Sequence, residues 1–336
     1  MIITQTPFRM SFFGGGTDMP EFFEEHGGAV LSTTFDKYCY VTVRHLPPFF
    51  DYETELVYSR IERVEDAAQL EHPMVRNAMA MLDMHELRIT YDADLPARTG
   101  LGTSSSFAVG LLNAFHYLKG QYASRRALAD EAIRLERELC AEAGGWQDQV
   151  AASFGGLNRI DFGPGGYEVS PIAVSPDRRR KLDGSLLLFF TGFTRTSSEI
   201  QKTTRFADKA AELSEMLALV DEAQAVLADE RADLARFGEL LDHTWRLKRG
   251  LGAKVSTDGI DGLYARALAA GAKGGKLLGA GGGGFLLFYA EPDVQPSVRA
   301  ALDGLMEIPF SFEEGGTRVA HYEPEAWEGL AQRGAC

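Results

Sequence analysis

The stretch Leu95-Pro96-Ala97-Arg98-Thr99-Gly100-Leu101-Gly102-Thr103-Ser104-Ser105-Ser106 sets a glycine turn directly before four hydroxyl side chains. Gly100 and Gly102 permit the tight, positive-φ geometry in which successive N–H groups converge on an anion. Beyond them Ala108, Leu111, Leu112, Phe115 and Leu118 recur at helical spacing until Gly120 stops the pattern. The turn therefore opens onto a helix N-terminus, where the backbone dipole favours negative charge. Residues 87–91 read as a strand, so the order is strand, glycine turn, helix, and the stretch reads as a phosphate cradle. The competing reading is an ordinary strand-to-helix loop whose serines only cap the helix.

Composition narrows what such a cradle serves. The chain has 336 residues, 45% hydrophobic and 24% charged, enough for sizeable cores and long for one domain. A formal net charge of -14 argues against nucleic-acid binding, since polyanions are repelled except at a local basic patch. The N-terminus lacks a basic segment followed by an apolar core, and no apolar run is long enough to span a bilayer, so a cytoplasmic protein is expected. Cys39, Cys140 and Cys336 are few, odd in number and far apart, which fits reduced thiols better than a disulfide frame or a metal site.

Along the first half, strand-like runs at 29–35, 38–45, 56–59 and 87–91 alternate with helical patterns near 72–84, 103–119 and 124–140. This predicts an α+β domain. The segment 175–184 interrupts the periodicity with proline, glycine and the run Arg178-Arg179-Arg180-Lys181, and is taken as a solvated junction between domains at 1–180 and 185–336. The second half predicts a buried strand at 186–190 and two long helices within 197–250. A helix near 259–270, a glycine loop, a strand at 285–289 and a helix-strand-strand tail follow. Leu213, Leu217, Val220, Gln224 and Leu227 form a stripe that reads as packing rather than as a partner face.

Three further motifs carry chemistry. Gly279-Ala280-Gly281-Gly282-Gly283-Gly284 formally contains Gly-x-Gly-x-x-Gly, but it feeds a strand, whereas a dinucleotide fingerprint follows a strand and opens a helix. No Walker loop replaces it, because Ala270 stands at the first-glycine position upstream of Gly275-Lys276. It reads as a loop approaching a ligand, against a plain turn. Near the N-terminus, Thr6-Pro7-Phe8-Arg9 through Gly14-Gly15-Gly16-Thr17-Asp18 delivers a cation from a strand and an acceptor from a turn; alone, Arg9 reads as an exposed strand residue and Asp18 as a cap. Finally, Asp148 in Gly144-Gly145-Trp146-Gln147-Asp148-Gln149 begins a short helix, where it can orient a hydroxyl and accept its proton. Glu136, on the preceding helix, is either a solvated residue or a cation ligand.

Together, in this order, the motifs resemble the galactokinase, homoserine kinase, mevalonate kinase and phosphomevalonate kinase (GHMP) superfamily nearly end to end. The resemblance implies an α+β, two-domain kinase fold, with an N-terminal ribosomal protein S5 domain 2-like part and a C-terminal ferredoxin-like part. It implies ATP as co-substrate and Mg²⁺ held by Thr103 and Glu136, threonine replacing the commoner serine at that position. Gly100, Leu101, Gly102, Thr103, Ser104, Ser105 and Ser106 become the nucleotide-binding residues, and Asp148 with Arg9 the catalytic pair. Gly15, Gly16, Thr17, Asp18, Arg195, Gly281 and Gly282 become substrate-binding residues. Within the superfamily, the details are most similar to the D-glycero-D-manno-heptose 7-phosphate kinases, which phosphorylate an anomeric hydroxyl. A phosphorylated acceptor needs a second anion site, for which Arg195, Arg246, Lys248 and Arg249 are candidate donors. The alternatives are a free-sugar 1-kinase, such as a fucokinase, and a non-catalytic sugar or nucleotide sensor. The expected partners are a small sugar or sugar phosphate, with no nucleic acid and no membrane, and a homodimer stands as one expected assembly.

Overall fold

The computed structural model describes residues 1–47, 49–97, 99–192, 209–252 and 255–324. Its frame is the long antiparallel pair β1 (Ile2–Phe13) and β2 (Gly28–His45). The runs expected at 29–35 and 38–45 are one strand. Pro7 pairs with Tyr38 and Phe8 with Phe35, so Asp36 and Lys37 form a bulge that bends β2 without ending it.

Around this pair, β3 (Thr54–Val57), β4 (Ile61–Val64), β5 (Leu87–Ala93), β6 (Asn158–Gly163) and β7 (Gly166–Pro171) build most of a nine-stranded sheet among the described residues. A second, four-stranded antiparallel sheet runs in the order β11 (Met306–Glu307), β8 (Leu186–Phe190), β10 (Phe285–Tyr289), β9 (Gly274–Leu277). The chain then returns. β12 (Phe312–Glu313) pairs with β2 and β13 (Arg318–Tyr322) with β1, so residues on the far side of the expected boundary complete the first sheet.

Ten described helices cover these sheets: α1 (Pro20–His26), α2 (Pro73–Met81), α3 (Thr103–Leu118), α4 (Arg125–Arg134), α5 (Gln147–Phe154), α6 (Pro176–Gly184), α7 (Ala210–Ala228), α8 (Ala235–Gly250), α9 (Asp258–Ala269) and α10 (Gln295–Ala301). The cradle helix α3 is buried on all sides from Ser105 to His116, which makes it a core element rather than a half-exposed one. Gly110 admits its close approach to β1, since a Cβ there would lie 2.8 Å from Thr6 Oγ1. On α7, Leu213, Val220 and Leu227 are buried as the stripe predicts, while Gln224 accepts a hydrogen bond from Arg159 at 2.9 Å.

The segment read as a solvated junction is helix α6. Ser175 caps it by accepting from the Arg178 N–H, and proline occupies its first turn. Arg178 is buried and donates to the backbone carbonyls of Val226 and Ala232, so part of the basic run ties α6 to the end of α7. Arg180 fits the solvated reading, with 71% of its side chain exposed.

The two glycine motifs meet backbone to backbone. Gly100 (φ +83°) and Gly279 (φ +75°) pack so closely that a Cβ on Gly279 would lie 2.2 Å from the Gly100 Cα, and one on Gly284 would lie 2.2 Å from the Thr99 carbonyl oxygen. The third motif is thus a glycine loop whose partner is the cradle's own backbone. Positive φ and a backbone neighbour both act against any side chain here. Gly279→Ala is expected to lower the unfolding free energy by about 3 kcal/mol. Gly262→Ala, in open space on α9, is expected to raise it by about 0.5 kcal/mol; denaturant melts of the two variants check both signs.

Candidate active site

A cleft of about 1050 Å³ lies between the two sheets, and the cradle forms part of its wall. At its centre Arg9, only 4% exposed, reaches Asp148 with two parallel hydrogen bonds, Nε to Oδ1 and Nη2 to Oδ2, both 2.7 Å. Its remaining nitrogen, Nη1, donates to the Gly100 carbonyl at 2.8 Å. β1 supplies the arginine, the first turn of α5 the aspartate and the cradle the carbonyl. A forked, charge-assisted pair of this kind fixes orientation as well as distance.

Beside the pair sits Asp18, 3% exposed, accepting from the Gly16 N–H at 2.8 Å and the Gln147 N–H at 3.3 Å. Burial, with the neighbouring Asp148 charge, raises its pKa above the ordinary aspartate value. Gly145 makes this approach possible, since a Cβ there would lie 1.7 Å from Asp18 Oδ2. Ser11 Oγ and Gln147 Oε1, on the same wall, are buried without a hydrogen-bond partner among the described residues. Unpaired buried polar atoms lining a cleft are what a polyhydroxyl ligand satisfies.

The cradle residues Gly100, Gly102, Thr103, Ser104 and Ser105 line the cleft. Among the described residues, Thr103 makes no hydrogen bond to Glu136. It is Ser105 Oγ that donates to Glu136 Oε2, at 2.7 Å, and Gln149 Nε2 donates to the same oxygen. Glu136 sits in a π-turn, Leu135–Leu139, that ends α4, and burial pushes its carboxyl up to about 7 despite those two hydrogen bonds. The set fits Mg²⁺. A desolvated carboxylate, a hydroxyl and the unpartnered Gln149 Oε1 are hard oxygen donors beside a phosphate cradle, and Mg²⁺ is commonly held by one or two carboxylates with phosphate oxygens completing the shell. The hydroxyl hydrogen-bonded to Glu136 is that of Ser105, while Thr103, the expected ligand, lines the cleft beside it.

Several expected site residues belong to the scaffold. Thr17 is fully buried, donating to the Gly14 carbonyl at 2.8 Å and accepting from the Ala29 N–H at 3.1 Å. The Leu101 side chain is in the core, and Ser106 Oγ donates to the Pro7 carbonyl at 3.0 Å. Gly281 packs on Val255, and the Gly282 N–H donates to the Val255 carbonyl at 3.0 Å, so this part of the loop is held from behind; Gly279 and Ala280 face the cleft instead. Gly15, Gly16 and Asp18 line it. Arg195 lies outside the described residues. Arg246 and Arg249 are ion-paired with Asp242 and Asp261 and do not line the cleft, whereas Lys248 does.

Two groups of cleft residues had no signal as a set in the sequence. Tyr58, His72, Tyr91 and Phe107 form an aromatic end with ring centroids 5.0–5.6 Å apart in edge-on contacts, and they come from four separate segments. Burial lowers the His72 pKa, and its Nδ1 has no partner among the described residues. Lys276, 2% exposed, lies on β9 with its amine on the Phe12 carbonyl at 2.7 Å. A lysine inside a strand whose neighbours are all buried was the one available hint.

Residues 56–156 match the GHMP kinases N terminal domain and residues 222–307 the GHMP kinases C terminal domain, more than half of the chain between them. The chain is 29% identical to a D-glycero-alpha-D-manno-heptose 7-phosphate kinase from Campylobacter jejuni, over 94% of this chain and 98% of that one. It is 25% identical to a bifunctional fucokinase/GDP-fucose pyrophosphorylase from Arabidopsis thaliana over 85% of this chain, which spans 30% of that longer protein. Among solved structures, a D-glycero-D-manno-heptose 1-phosphate kinase from Bacteroides thetaiotaomicron superposes with a TM-score of 0.77, covering 96% of this chain and 100% of the other at 24% identity, a likeness of fold. No helix among the described residues is long and apolar enough to cross a membrane. With the matching domains, the end-to-end relative and the fold in agreement, the chain belongs to the GHMP kinases and is an ATP-dependent phosphotransferase.

Proposed function

We propose that this kinase transfers the γ-phosphoryl group of ATP to the anomeric hydroxyl of D-glycero-D-manno-heptose 7-phosphate, giving the 1,7-bisphosphate. One observation carries the reading: the Arg9–Asp148 pair lies between the cradle and Asp18 in a chain similar from end to end to a heptose 7-phosphate kinase. In this reading residues 1–180 carry the cradle and the reacting pair, and residues 185–336 close the cleft with Lys248, Lys276 and the second glycine loop. ATP runs from the aromatic end, where the base packs among Tyr58, His72 and Phe107, to the N–H groups of the cradle.

The acceptor hydroxyl oxygen attacks the γ-phosphorus as the bond to the β-phosphate oxygen breaks, and ADP leaves with that electron pair. Asp148 orients the hydroxyl and takes its proton. Arg9 holds both carboxylate oxygens of Asp148, so the lone pairs left to meet the acceptor have one direction. Asp18 and the unpaired Ser11 and Gln147 oxygens bind sugar hydroxyls. Ser105 and Glu136 would hold Mg²⁺, which when bound would offset charge on the phosphates. A sensor has no need of a forked arginine on an aspartate at the mouth of a phosphate cradle.

Asp148→Asn is expected to keep ATP affinity while lowering kcat by about 10³-fold, measured by steady-state kinetics beside nucleotide titration; unchanged kcat removes Asp148 from the mechanism. Ser105→Ala is expected to raise the Mg²⁺ concentration for half-maximal rate, with Thr103→Ala the smaller effect. The acceptor is tested by ADP release across heptose 7-phosphate, free heptose and fucose. Preference for heptose 7-phosphate is expected, and preference for fucose turns the assignment to a free-sugar kinase.

A further inference from the structure

We propose that Lys248 and Lys276 form a phosphate-binding subsite in the cleft, holding a terminal phosphoryl dianion that neither Arg9 nor the cradle neutralises. The inference rests on the kinase reading above and adds a binding chemistry to its site. Lys276 Nζ donates to the Phe12 carbonyl at 2.7 Å, and Lys248 Nζ donates to the Leu277 carbonyl at 3.0 Å and to that of Gly279. Both side chains line the cleft beside Arg9. Neither is ion-paired among the described residues. Of the acids lining the cleft, Asp148 is paired with Arg9, and Asp18, whose charge reaches Lys248, accepts from two backbone N–H groups rather than from either lysine.

Two buried amines facing a cleft have only carbonyls as hydrogen-bond partners, and the Asp18 charge that favours the Lys248 ammonium is one against two. Burial and neighbouring cations lower both: Lys248 falls to about 7, and Lys276 lies well below the ordinary lysine value. An anionic ligand entering the cleft would favour the ammonium form of both. Lysine binds phosphate as a point charge, and the Gly279 carbonyl that Lys248 holds belongs to the loop packed on Gly100 of the cradle. Two phosphates reach such a place, the γ-phosphate of ATP and the acceptor's own phosphate.

The charged groups facing Lys248 are Arg9 on β1, Asp18 after it and Lys276 on β9. When a dianion binds, the Lys248 amine regains its proton, so binding takes up protons at pH 8 and weakens as pH rises from about 7 to 9. Calorimetry at pH 8, in two buffers of different ionisation enthalpy, reads this for a non-hydrolysable ATP analogue and for heptose 7-phosphate, with ADP and free heptose as controls. Lys248→Met and Lys276→Met are each expected to weaken at least one phosphate-bearing ligand by about tenfold, to leave the controls unchanged and to retain or raise the melting temperature. Lys248→Arg is expected to keep the affinity while losing its share of the proton uptake. Loss confined to the nucleotide assigns the subsite to the γ-phosphate, and loss confined to the sugar phosphate assigns it to the acceptor. Affinities unchanged in both methionine variants overturn the subsite, even if heptose 7-phosphate is turned over normally. Wild-type protein that ignores heptose 7-phosphate yet shows the lysine dependence with nucleotide overturns the acceptor and leaves the subsite standing.

Discussion

A single guanidinium joins segments that the sequence keeps 91 and 139 residues apart. Arg9 is rooted in β1 of the frame and fully committed, with two bonds to Asp148 and one to the cradle carbonyl of Gly100. The placement of the aspartate and of the cradle turn therefore traces back to β1. The strand fixes the arginine, the arginine fixes the aspartate and the turn, and the turn fixes the start of α3. Because α3 is buried on all sides, the cradle cannot drift without disturbing the core. Gly100 seals the arrangement from behind, its Cα occupying space that a side chain on Gly279 would need.

Around this centre the cleft holds four buried titratable groups. Burial raises Asp18 and Glu136 and lowers Lys248 and Lys276, each shift opposing the charged form. One desolvated environment opposes the charged form of carboxyls and amines alike, and an opposite charge entering it favours that form. A site built in this way needs little solvent reorganisation at the moment of reaction, because its dipoles are already aimed.

Much of this was legible in the sequence, for identifiable reasons. Glycine runs mark positions where only backbone fits, so the cradle and the loop at Gly279–Gly284 could be found, and helical periodicity after Gly102 gave α3. Arg9 and Asp148 were found as motif members, whereas their forked contact is a tertiary fact that no local pattern encodes. Thr103 and Ser105 show the limit well. Both are hydroxyls in the first turn of α3, and only the direction each takes around the helix brings Ser105, not Thr103, to Glu136. The aromatic end escaped notice because its rings come from four segments with no shared spacing, and α6 because its charge run outweighed the capping serine and the proline that mark its start.

The return of β12 and β13 to the first sheet bears on how the protein is made. β1 lies between β2 and β13, so one of its edges stays open until residues near 318 have been synthesised. A nascent chain must carry that unpaired hydrogen-bonding edge while everything between the two strands is made, and such edges invite pairing with other chains. The two halves are thus tied into one cooperative unit by their most distant contacts, and folding rate, rather than final stability, bears the cost of that topology.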